Sequence, residues 1–112
     1  MTNFSATLCL SLLFLATPAF AETAYIAPTA PAIPESFSSL AIAEAAEEDV
    51  ETYLLASAQY QQCLVSEWDA LGEERTPAQD AEITALRDTA KSQAKALAQS
   101  YNAKVIALHN NG

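Results

Sequence analysis

The sequence predicts an all-α fold, an antiparallel two-helix hairpin of coiled-coil character. Three observations predict it. Two stretches carry apolar residues at three- and four-residue steps, which puts them on one stripe of a helix. A single glycine-bearing turn, Gly72-Glu73-Glu74-Arg75, separates the two stretches. The chain holds just two glycines among 112 residues and is rich in Ala, Glu, Gln and Leu, side chains that lose little freedom in a helix. Strand formers are sparse and never alternate with polar residues over a long run.

The first expected element is not part of the fold. Residues 4–20 carry no charge, and 8–15 form a compact apolar run, LCLSLLFL. Thr17-Pro18 breaks the run, and Ala19-Phe20-Ala21 puts small residues where a signal peptidase reads them. This anatomy predicts a signal peptide over 1–21, with cleavage between Ala21 and Glu22. No Lys or Arg precedes the apolar run, and the run is shorter than the ~20 residues a bilayer-spanning anchor needs. Cys9 sits inside the run rather than just after it, which argues against lipid attachment there. The expected destination is the periplasm or the exterior.

Residues 22–38 contain prolines at 28, 31 and 34, which favour extended backbone and remove donors. A Pro-rich linker or loosely attached arm is expected. Helix one is expected over about 39–71. Ser36 or Ser39 can cap it, and Val50, Tyr53/Leu54, Ser57, Tyr60, Leu64, Trp68 and Leu71 form its stripe. Gly72 follows as a left-handed C-cap. Thr76-Pro77-Ala78-Gln79 reads as a capping box, with Pro77 at the first helical position, where its missing N–H costs nothing. Helix two is expected over about 77–108, its stripe being Ile83, Leu86, Ala90, Ala94, Leu97, Tyr101, Val105 and Leu108. Residues 110–112 form a flexible tail.

Two long helices with a short connection pack antiparallel, so position i faces roughly 149 − i. Leu64 is then expected near Ala85 and Leu86, and Trp68 near Ala81. Helix one carries seven acids and no base, whereas helix two carries Arg87, Lys91, Lys95 and Lys104 against Asp80, Glu82 and Asp88. Glu44 and Glu47 are expected near Lys104, and Glu51 near Lys95. A lone two-helix unit has little surplus stability, so self-association into a four-helix bundle is expected to hide more apolar surface.

The net charge is −9. Such a chain repels nucleic-acid phosphates and anionic membrane surfaces, which excludes nucleic-acid binding and, after signal cleavage, membrane attachment from the expected functions. Removal of Cys9 with the signal would leave Cys63 as the odd thiol of an oxidising compartment. An intermolecular disulfide and a free thiol are the two functional readings, and a half-buried small hydrophobe is the plain one. Ala56 and Ala70 flank Cys63 at seven-residue spacing, a small-residue ridge that would let another helix approach.

No catalytic, cofactor-binding or metal-binding residue is expected. His109 is the lone histidine and sits at a helix end, where its charge is favourable. Glu44, Glu47, Glu48, Asp49 and Glu51 lack the glycine-bearing loop of a calcium site and read as a solvated face. Tyr53, Tyr60, Trp68 and Tyr101 read as seam packing. No serine has the histidine and acid of a nucleophilic site, and no Gly-rich phosphate loop exists. The expectation is a non-enzymatic, exported structural or interaction module that self-associates or docks a partner. The alternative is a small inhibitor or chaperone-like binder of other periplasmic proteins.

Val50-Glu51-Thr52-Tyr53, Tyr60-Gln61-Gln62-Cys63-Leu64 and Tyr101-Asn102-Ala103-Lys104-Val105 together form the pattern V-x-x-Y…Y-x-x-C-L…[FY]-N-x-x-V. Over residues 48–108 the chain resembles a group of small exported proteobacterial proteins with that pattern. The resemblance implies a compartment and a helical hairpin but no activity. Members often carry a second cysteine near the mature N-terminus. This chain has none there, so the resemblance implies no internal disulfide in the processed chain.

Overall fold

The computed structural model describes residues 26–111. The proposed signal peptide and its Ala21–Glu22 cleavage point lie outside them. Two helices dominate: α1 over Leu40–Leu71 and α2 over Pro77–Asn111. A short 3-10 turn, Gly72–Glu74, joins them. No strand occurs among the described residues. At about 1.5 Å per residue, both helices run to roughly 50 Å.

The ends follow from local chemistry. Ser39, in extended backbone, accepts a 3.3 Å bond from the Ile42 amide and so caps α1. Of the two candidate serines, Ser39 is the cap. At the far end Gly72 has φ +56° and ψ −138°, and its amide bonds the Asp69 carbonyl. Positive φ was expected, but ψ lies far from the left-handed helical value. The chain leaves α1 through a backbone region nearly restricted to glycine and enters the 3-10 turn. The capping box of α2 is reciprocal. Thr76 donates its amide to Gln79 Oε1 at 2.9 Å, and the Gln79 amide donates to Thr76 Oγ1 at 3.1 Å.

Burial on α1 follows a heptad. Its buried residues are Ala43, Ala46, Val50, Tyr53, Ser57, Tyr60, Leu64 and Glu67. They alternate in steps of three and four without a break, and half-buried Leu71 continues the series. A strict seven-residue repeat keeps its seam on a partner helix by left-handed supercoiling. On α2, Ile83 and Ala90 are buried seven residues apart. Leu97 and Lys104 extend that row, while Arg87, Ala94, Tyr101 and Leu108 form the second row, all half-buried. The seam thus admits Ser57, Glu67, Arg87 and Lys104, whereas the expected stripes were apolar apart from Ser57.

Two apolar clusters hold the hairpin. Near the turn, Tyr60, Leu64, Ile83 and Ala90 form the core, with Trp68, Leu71 and Leu86 against it. At the open end, Phe37, Ala43 and Ala46 are buried, with Ile33, Tyr101, Val105 and Leu108 packed on them. The Phe37 and Tyr101 rings lie 5.7 Å apart, tilted by 53°. The segment expected as a spacer over 22–38 therefore ends in an anchor. Because Ala43 and Ala46 are small, they leave room that an aromatic ring can fill.

The antiparallel register agrees with expectation. Trp68 reaches Asp80, one position from the expected Ala81. The field of Glu47, Glu51 and Glu44 on α1 is felt by Tyr101 on α2. The expected charge pairs do not form. Among the described residues the one ion pair is Arg75–Asp80. Lys104 Nζ instead donates to Ser100 Oγ on its own helix at 3.2 Å, and Lys95 is exposed. Exposed pairs of long side chains gain only about 0–1 kcal/mol, too little to order them reliably.

Candidate functional site

Three features of the hairpin bear on function: a polar clasp at the turn, a buried acid in the seam and an incompletely covered stripe on α2.

The clasp is built from Trp68, Arg75 and Asp80. The short turn brings the last turn of α1 against the first turn of α2. Trp68 Nε1 donates to Asp80 Oδ1 at 2.6 Å. Arg75 Nη1 donates to the Trp68 carbonyl at 2.9 Å, and its guanidinium carbon lies 3.7 Å from the indole ring centroid. Its Nε is 3.6 Å from Asp80 Oδ1. The cation thus meets one of the orphan carbonyls at the end of α1, the π-face and the carboxylate at once. Nothing in the clasp resembles a reacting constellation; its geometry joins two helix ends. The apolar spacing predicts Trp68 in the seam, and Arg75 over its ring is a feature that this spacing alone does not predict. The signal was present as a Trp-x6-Arg-x4-Asp spacing across a short turn.

Glu67 sits on the seam beside Leu64, with 2% of its surface exposed. Its Oε1 has no hydrogen-bond partner, and burial holds its carboxyl above the usual carboxylate pKa. Arg87 also carries a buried, unbonded Nε. Neither residue was a candidate on sequence grounds, because charged residues at heptad positions look the same as surface charges until burial is known.

The stripe of α2 is unevenly covered. Ile83 and Ala90 are buried, whereas Leu86, Ala94, Leu97, Tyr101, Val105 and Leu108 remain half-buried. Leu40, Leu55 and Ile106 are mostly exposed. A shallow depression along α2, lined by Asp88, Thr89, Ser92, Gln93 and Ala96, draws all its walls from one helix and encloses nothing.

The remaining sequence candidates fall as follows. Glu44, Glu47, Glu48, Asp49 and Glu51 are all exposed on α1. Among the described residues no group of three or more His, Cys, Asp or Glu is gathered as for a metal ion. His109 is exposed in the last turn of α2. Tyr53 and Tyr60 are buried in the seam, and Tyr60 has its phenol pKa raised by burial. Cys63 is half-buried on α1 and is disulfide-bonded. No described helix is long and apolar enough to cross a membrane.

No protein-family model, no curated protein and no solved structure matches the chain.

Proposed function

We propose that the chain is a non-enzymatic exported structural or interaction module, working through its helical hairpin by self-association. The observation that carries this reading is the half-covered stripe of α2. Tyr101, Val105 and Leu108 pack on Phe37, Ala43 and Ala46 yet keep part of their surface in water, as does Leu97. Apolar surface left in water favours a further contact, by about 25 cal/mol for each Å² covered. A second hairpin offers a stripe of the same length and spacing, and a two-fold arrangement would make a four-helix bundle.

Charge favours contact through α2. That helix carries four Lys or Arg residues against three acids, whereas α1 carries seven acids and no base. Copies meeting through α1 would repel, and copies meeting through α2 would not. Export rests on the apolar run and the small residues before Glu22. The pattern shared with small exported helical proteins supports the same compartment.

Sedimentation equilibrium across a concentration series tests the reading. A dimer is expected, and Leu97→Gln or Leu108→Gln should weaken it about tenfold, equivalent to about 1.4 kcal/mol. A strictly monomeric species at every concentration would contradict self-association. The acid-only exterior of α1 favours a second reading, a binder of basic exported proteins. In that case the monomer would capture such a client, and the complex would dissolve in salt.

A further inference from the structure

A carboxyl group buried in an apolar seam is costly to ionise unless something pairs with it. Glu67 meets that description. It follows Leu64 and precedes Leu71 in the heptad series, is 2% exposed and leaves Oε1 without a hydrogen bond. The charged groups around it do not supply a partner. On its own helix Asp69 is exposed, and beyond it lie Glu73, Glu74 and Arg75 of the turn. Arg75 is committed to Trp68 and Asp80. The opposing first turns of α2 carry Asp80, Glu82 and Arg87. Asp80 is taken by the clasp, Glu82 could only repel, and Arg87 forms no ion pair with Glu67.

We propose that Glu67 is a proton-operated latch at the turn end of the hairpin. Protonated, it is a neutral side chain the size of glutamine and stays in the seam. Ionised, it draws water between the last turns of α1 and the first turns of α2, and that end loosens, exposing Leu64 and Ile83. Acid closes the latch and neutrality relaxes it. The direction follows from linkage. Burial raises the folded-state pKa above the ordinary 4.5. The unfolded chain therefore releases its proton first as pH rises. The stabilisation is complete below 4.5 and is lost as pH climbs through the folded-state value.

The test is melting of the full chain by circular dichroism between neutral pH and 4.5, alongside Glu67→Gln and an exposed control, Glu48→Gln, with a carboxyl-carbon NMR titration of the unaltered chain. The expected melting midpoint of the unaltered chain rises by several degrees towards acid. Glu67→Gln should melt higher than the unaltered chain at neutral pH and lose part of that rise. Glu48→Gln should keep it. In the NMR titration Glu67 should titrate above 4.5. Glu67 titrating at or below its ordinary value would overturn the latch, as would a Glu67→Gln chain with an undiminished pH response. The titration decides the matter even if the variant folds poorly.

Discussion

Among the described residues, Leu64 and Ile83 are the two large side chains most completely withdrawn from water, at 0% and 1% exposure. Truncating either removes contacts that the rigid seam cannot replace. Leu64→Ala should cost about 2–5 kcal/mol in urea unfolding followed by circular dichroism. Trp68→Phe keeps the ring under Arg75 but removes the bond to Asp80, and should cost about 1 kcal/mol in the same assay. Tyr101 adds a response at high pH. Burial first, then Glu47, Glu51 and Glu44, raises its phenol pKa above the ordinary 10.0. The unfolded phenol ionises first, so stability should begin to fall as pH passes 10.0, and Tyr101→Phe should blunt that fall. Leu64, Ile83, Tyr60 and Trp68 were legible from spacing alone. Glu67 and Arg87 were not, since a period reports which face a residue occupies only when its chemistry agrees with that face.

The boundaries on either side of the turn and the start of α1 were the most readable part of the chain, whereas α2 runs on to Asn111, past the end expected at about 108 and into the expected tail. Ser39, Gly72, Thr76 and Pro77 each carry a local reason to start or stop a helix, and local reasons do not depend on tertiary contacts. Thr76→Ala should cost about 0.5–2 kcal/mol, because Gln79 loses its acceptor and the first turn of α2 loses a cap. Gly72→Ala should cost roughly 1–2 kcal/mol from backbone strain at φ +56°, since no atom lies within 4 Å of the added methyl. Less readable was the arm before α1. Its prolines announce extended backbone, and residues 26–38 form neither helix nor strand, with a bend at 35–36. The prolines say nothing about Phe37, whose burial depends on the gap above Ala43 and Ala46 opposite Tyr101. That gap exists only once α2 has folded back. Phe37→Ala should therefore unfold the open end first, at a cost of roughly 3 kcal/mol. Amide hydrogen exchange would locate the loss at residues 40–47 and 100–108.

At the scale of the molecule, one relation organises the rest. The heptad on α1 and the matching rows on α2 align antiparallel about the turn, and the two clusters, the clasp and the field at Tyr101 all follow from that register. Register was legible because a short turn allows only one direction of return. The charge pairs expected from it were not realised, because register places charges near each other without making their contact worth ordering. The same arrangement leaves α2 partly uncovered, which is why a second hairpin is the proposed partner. The most direct test is the nuclear Overhauser spectrum of the isotope-labelled protein. Contacts from Leu64 to Ile83, from the Trp68 indole to the first turn of α2, and from Phe37 to Tyr101 are predicted together in one sample. Helical amides throughout, with no such contact linking residues 40–71 to 77–111, would leave two separate rods and contradict the hairpin.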